Sequence, residues 1–251
     1  MPYPAHIMYI NYISGVLQGD FGYLRNRTIV DVFMEALPYT LILAFGGIIV
    51  ASVLGVVLGI IAARKQNKLV DNVVMTLSLL TSSIPLFFLA VLLMLLFSLH
   101  LGWFPSRGLA AGWRGMVLPI MTLGLPSVGF IARTTRTAML DVLGMEYIRA
   151  ARARGIPERN IIFTHTLKNM MIPIITAIAL RLSELLAGTV LVELSFSIPG
   201  IGRILLGSIT YREPVAMMGG IIVMWLAFML INLVVDLLYA IVDPRTSKSY
   251  S

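Results

Sequence analysis

Residues 37–63 read LPYTLILAFGGIIVASVLGVVLGIIAA, and no acidic or basic side chain stands between Glu35 and Arg64. A helix that crosses the hydrocarbon core of a bilayer needs about 20 mostly apolar residues. This stretch is long enough to cross and carries nothing that lipid would reject. Four further runs are long and apolar enough to cross: Val73–Leu101 and Met116–Ala132, both uncharged, Met170–Leu194, which contains Arg181, Glu184 and Glu193, and Val215–Val242, which contains Asp236. The second is interrupted at Ser82-Ser83-Ile84-Pro85, and the third contains Pro119, Gly124, Pro126 and Gly129. Such residues would spoil a helix in water, but neighbouring helices in a membrane re-satisfy the freed backbone groups. Composition agrees. The chain is 58% hydrophobic and 12% charged, against about 25% charged in soluble domains. The fold class expected is an all-α integral membrane protein with about five transmembrane helices.

Basic residues in loops orient such a bundle. Arg64, Lys65, Lys68, Arg133, Arg136, Arg149, Arg152, Arg154, Arg159, Lys168, Arg245 and Lys248 fall on one face. Arg25, Arg27, Arg107, Arg114, Arg203 and Arg212 fall on the other. Twelve against six makes the first face cytoplasmic, with the N-terminus outside and the C-terminus inside. The expected organisation is an external segment over residues 1–36, a membrane domain over 37–246 and a cytoplasmic tail over 247–251. Residues 1–36 carry no basic n-region and no span, so they are not a signal peptide; Ile7–Leu17 suits a helix lying on the interface. The absence of cysteine excludes disulfides and thiol chemistry. The net charge of +7 is accounted for by topology, and nucleic acid is not expected as a partner.

The longest cytoplasmic loop, 139–169, reads MLDVLGMEYIRAARARGIPERNIIFTHTLKN. Met145–Arg154 is a good helix former, and Gly155 with Pro157 is a stop signal. Glu158–Lys168 suits a second short helix. Two helices about a glycine turn make a compact protrusion. The small Ala150 and Ala151 would let a partner backbone approach, with the flanking arginines pairing with a partner's acids. A basic loop that binds anionic lipid is the alternative, but lipid binding does not need the glycine or the alanine pair.

The run Glu146-Tyr147-Ile148-Arg149-Ala150-Ala151-Arg152-Ala153-Arg154-Gly155, followed by His165-x-Leu167-x-Asn169 and Pro173, resembles the coupling-loop signature of ABC importer permeases, most closely the dipeptide, oligopeptide and nickel branch. The general motif has Glu directly before the alanine pair; here Arg149 stands there. Gly19-Asp20-Phe21-Gly22, Phe196–Gly202, Arg212-Glu213-Pro214-Val215, Asn232–Tyr239 and Asp243-Pro244-Arg245 resemble other stretches of the first of that branch's two permease subunits. The family has six spans, so this chain is expected to hold the last five. The resemblance implies a prokaryotic inner or plasma membrane location and a heterodimer with a second permease. It also implies two cytoplasmic ATPase subunits and an extracellular substrate-binding protein. The chain has no phosphate-binding G-x-x-x-x-G-K-[ST] of its own, so ATP hydrolysis is expected in a partner, with no enzymatic activity and no cofactor here. The resemblance implies ATPase coupling by Glu146, Arg149, Ala150, Ala151, Arg152, Arg154, Gly155, His165 and Asn169, and a di- or oligopeptide substrate, with nickel or a nickel chelate as the alternative.

Charge inside a span is costly and faces a cavity or a partner. Arg181 and Glu184 share a helix face. They read either as a lining of the substrate path or as a self-neutralising pair that orients the helix. Glu193, near the outer end of the same run, is expected at the mouth of the path. Asn232 and Asp236 suit contacts between helices. His165 has no ligand set near it, so no metal site is expected, and the 15 methionines are scattered through apolar runs as packing. Three other classes were weighed. An ion-driven secondary transporter would show inverted repeats, and an intramembrane enzyme would need a catalytic pair in the spans. A non-transporting assembly subunit is the third.

Overall fold

The structure is a computed structural model that describes residues 5–24, 26–107 and 112–242, without the side chains of residues 5, 163, 165, 235, 236 and 238–242. Arg25, Asp243-Pro244-Arg245, Lys248 and the tail 247–251 lie outside the described residues, as do the side chains of His165 and Asp236. The described chain is almost wholly helical. Helix α1 (Ala5–Leu17) leads to a small hairpin of β1 (Tyr23–Leu24) and β2 (Arg27–Thr28). Met8, Tyr9, Ile10 and Leu17 of α1 are exposed.

Helix α2 (Ile29–Arg64) starts well before the apolar run that predicted it. Thr28 is the reason. Its hydroxyl accepts the Asp31 N–H at 3.2 Å and donates to the Asp31 carboxylate at 2.5 Å, satisfying first-turn donors that would otherwise be orphaned. At 36 residues α2 is about 54 Å long, against roughly 30 Å of hydrocarbon, so it projects beyond the bilayer.

The interrupted run is two helices, α3 (Leu69–Ser83) and α4 (Leu86–Leu93), the latter continuing through wide π-helical turns over Met94–His100. The two halves are bent by 106°. Ser82 and Ser83 turn their hydroxyls back onto the carbonyls of Ser78 and Leu79 at 2.8 and 2.9 Å. Ile84 is extended, and Pro85 has no N–H to continue the ladder. Four long apolar helices plus this bent pair account for the five expected runs.

Helix α5 (Arg114–Leu143) runs through the centre of the bundle. It extends past Ala132, so Arg133 and Arg136, expected in a loop, ride on its last turns. Beyond it come α6 (Glu146–Ala153) and α7 (Glu158–Asn160). From α7 the helical backbone passes through π-helical turns at Ile161–Thr166 directly into α8 (Leu167–Ser195). Helices α9 (Ile201–Thr210) and α10 (Pro214–Val242) complete the chain.

Helices in lipid associate through close backbone approach rather than apolar burial. Glycines supply that approach along α5. A Cβ added to Gly124 would stand 2.7 Å from the Gly47 carbonyl oxygen, and one added to Gly129 only 2.4 Å from that of Ser78. Gly59 of α2 meets the Ala132 carbonyl in the same way, at 2.6 Å. Replacing Gly129 with Leu would therefore force α3 off α5. We expect a stability loss of about 3 kcal/mol or more, seen as a lowered unfolding temperature in detergent; an unchanged midpoint would disprove the close contact.

Candidate functional site

The protrusion on the basic face is built from α6 outward. Its helix is short and amphipathic: Ile148 and Ala151 are buried, while Glu146, Arg149, Ala150, Arg152 and Arg154 are exposed. The end is a Schellman turn. Gly155, at φ +76°, donates to the Arg152 carbonyl at 2.9 Å, and the Ile156 N–H reaches back to Ala151 at 3.2 Å. An L side chain at that φ is strained, which is why glycine ends the helix. Ile156 then packs on a cluster containing Met139, Ile148, Ala151, Ile161, Ile162, Met170 and Ile174.

Two expectations for this protrusion change. Ala151 is only 9% exposed and faces the chain's own core; of the alanine pair, Ala150 alone offers a bare surface. Arg152, expected to wait for a partner's acid, is already engaged. Its Nε and Nη2 donate to Glu158 at 3.1 and 2.8 Å, tying α6 to α7. Those hydrogen bonds, with the attraction of the guanidinium, hold the Glu158 carboxyl below its usual range. Arg149 and Arg154 remain on the surface. A second tie joins α6 to α8: the Asn169 amide donates to the Tyr147 hydroxyl at 2.8 Å. The backbone of His165 lies within the wide turns beneath the protrusion.

At the root of the protrusion is an ion pair that sequence reasoning missed. Arg136 of α5 donates through Nε and Nη2 to both Asp71 oxygens of α3, at 2.6 and 2.7 Å. Asp71 is 2% exposed and also accepts the Asn67 N–H at 2.9 Å. The partners are 65 residues apart in sequence. The only signal was an acid and a base each standing just outside an apolar run.

Within the bundle, the chain brings Arg181 and Glu184 together and leaves Glu193 apart. Arg181 is the midpoint of α8. Its Nη1 donates to Glu184, and its guanidinium lies 3.9 Å from the centre of the Phe130 ring. Two residues along from Arg181, Ser183 donates to Asn232 of α10 at 2.8 Å, the contact between helices expected of Asn232.

Glu193 does not line a mouth. It is 0% exposed. Oε1 accepts the Thr40 hydroxyl at 2.6 Å, and Oε2 accepts the Gly202 and Arg203 N–H groups at 2.8 and 3.3 Å. Thr40 in turn accepts the Ile201 N–H at 3.1 Å. The carboxylate thus caps the N-terminus of α9 from a neighbouring helix and clamps that helix to α2 and α8. Gly200 leaves the room: a Cβ there would fall 2.1 Å from the carboxyl carbon. Helix α9 stands where the sequence predicts an external loop, and Ile201, Leu205 and Ser208 at helical spacing mark its buried face.

Known proteins agree with this architecture. Residues 55–248 match the family described as binding-protein-dependent transport system inner membrane component. The glutathione transport system permease protein GsiC of Salmonella choleraesuis is 40% identical over 243 residues, spanning 96% of this chain and 79% of that protein. GsiC of Escherichia coli K12 is 39% identical over the same shares. Among solved structures, the inward-facing methionine ABC transporter MetNI aligns with a TM-score of 0.68 at 20% identity, covering 85% of this chain and 97% of that one. An amino acid ABC transporter crystallised with histidines aligns at 0.62 and 18% identity, covering 86% and 94%. With its apolar helices and its α6–α8 protrusion, the chain belongs to the binding-protein-dependent inner-membrane components of ABC importers, as a multi-pass permease.

Proposed function

We propose that this chain is the first of two permease subunits in an ATP-driven importer of peptide-like substrates. Its basic face is cytoplasmic, and α6 seats on a separate ATPase subunit. The observation that carries the reading is α6 itself: a capped, internally braced helix with Ala150, Arg149 and Arg154 exposed. A lipid-binding loop needs positive charge alone; this one is held rigid by Gly155, by the Arg152–Glu158 pair and by Tyr147–Asn169. The similarity to glutathione permeases supports a small peptide as cargo. A second permease and a substrate-binding protein complete the importer.

The absence of cysteine makes a clean test possible. Ala150→Cys introduces a single thiol on the exposed face. In membranes holding the whole importer, a maleimide carrying a benzophenone, attached to that thiol and irradiated so that it inserts into a neighbouring C–H bond, is expected to join it to the ATPase subunit. Ala150→Trp leaves the chain's own core untouched and should lower ATP-dependent uptake by about tenfold or more. Gly155→Pro should do the same by undoing the Schellman turn. No cross-link together with unchanged uptake in Ala150→Trp would refute the assignment.

A further inference from the structure

Helix α8 presents one uncovered stripe: Leu180, Ser183, Glu184, Ala187, Leu191 and Leu194 are exposed. Most of it would suit lipid or another helix. Glu184 would not. It stands next to the midpoint of a 29-residue membrane helix, and its side chain is 61% exposed. A carboxylate at that depth is not turned to hydrocarbon; it faces water or a polar partner. The neighbouring Phe130 ring, on which Arg181 rests, also lines a cleft of about 360 Å³ with Arg133, Thr137, Asp141 and Pro173. Arg133, Thr137 and Asp141 give that mainly apolar cleft its polar groups, and from Phe130 to Asp141 it follows α5 toward the basic face.

Arg181 and Glu184 are not arranged as a pair that merely cancels. A structural pair inside a membrane would spend its donors fully. The Arg181 Nε–H is buried with no acceptor among the described residues. The guanidinium is instead held from below by the Phe130 face and from one side by Glu184. The Glu184 side chain stays largely exposed beside it. A carboxylate has about four lone-pair sites, and Arg181 Nη1 takes one.

We propose that Glu184 is a substrate-reading residue at mid-membrane, accepting the protonated amino group of a peptide-like substrate in transit, with Arg181 as the residue that positions it. This rests on the importer reading above and names the feature of the cargo that the permease itself inspects. A compact ammonium donating hydrogen bonds to a fixed carboxylate forms a charge-assisted contact. It is one contact among those the cargo would make, so it can also be given up, as a station along a path requires.

The test uses the complete importer in proteoliposomes, with its second permease, ATPase and binding protein. The probe is a pool of dipeptides with free amino termini, and uptake is read by mass spectrometry. Binding-protein-stimulated ATP hydrolysis is read in parallel. Glu184→Gln is expected to slow dipeptide uptake by about tenfold while stimulated hydrolysis persists. Glu184→Asp should recover most of the rate. The double variant Arg181→Gln with Glu184→Gln separates substrate reading from charge cancellation. If Glu184 only neutralises Arg181, removing both charges restores uptake and the proposal falls. If Glu184 receives the substrate, the double variant stays as slow as the single one. Nickel uptake that depends on Glu184 while dipeptide uptake does not would also overturn it. Failure of the unsubstituted importer to take up dipeptides or to hydrolyse ATP would instead count against the importer reading.

Discussion

Replacing Glu193 with Leu is expected to release α9 from the bundle. The side chain is wholly buried and satisfies three donors: the Thr40 hydroxyl and the N–H groups of Gly202 and Arg203. Leucine fills similar volume and accepts nothing. Each buried donor left unmet costs about 1–3 kcal/mol. The Thr40 hydroxyl can rotate to a new acceptor, so the sum should fall near 3–5 kcal/mol rather than the arithmetic maximum. The Ile29, Phe33, Ile201, Leu205 and Ala216 cluster then loses the tie that holds its two sides in register. The measurable result is rapid proteolysis within residues 196–213, with a lowered unfolding temperature. Glu193→Gln keeps the acceptor Oε1 but sets an NH₂ against two N–H donors, so its loss should be intermediate. A Leu variant as protease-resistant as the parent would show that the clamp is dispensable.

Arg136→Met should be comparably severe, at the other face. It strands Asp71, which is 2% exposed and then retains only the Asn67 N–H. Breaking a buried pair by removing one partner costs about 3–5 kcal/mol, because an uncompensated charge stays behind. The reverse change, Asp71→Asn, strands an arginine whose side chain is 23% exposed and can reach water, so it should cost less. Removing both charges together, as Asp71→Leu with Arg136→Met, should recover much of the loss. The ordering Arg136→Met, then Asp71→Asn, then the double variant is checked by thermal unfolding. Equal effects of the two single changes would mean that Asp71 finds water on its own.

Much of this molecule was legible in the sequence because lipid imposes so few solutions. Long apolar runs bounded by Arg64, Arg133 and Lys168 announced the helices, and Pro85 announced the bend between α3 and α4. The Gly155 stop was readable because a single residue type fits that backbone. What escaped was set by tertiary contact. Nothing local to Glu193 says whether its carboxylate meets a substrate or the end of α9; the residues that decide it, Thr40 and Gly202, lie 153 and 9 positions away. The same holds for Asp71, whose partner is on another helix. Ala150 and Ala151 looked equivalent as a pair, yet helical rotation turns one toward solvent and the other inward. Helix ends were misjudged where polar caps such as Thr28 carried the helix past its apolar stretch.

The helical backbone that begins at Glu158 and ends at Ser195 runs from the α6–α7 protrusion to the opposite end of the bundle with no loop between. From Glu158 to Glu184 is about 39 Å of rod. A tilt of a few degrees applied at its foot becomes an excursion of a few ångströms at mid-membrane by geometry alone. That distance is comparable to the length of a single hydrogen bond. Under the function and the substrate-reading role proposed above, torque at the foot of the rod would make or break the Glu184 contact without unfolding a single turn. Pro173, which removes one rung from the rod, is where bending would spend that stroke.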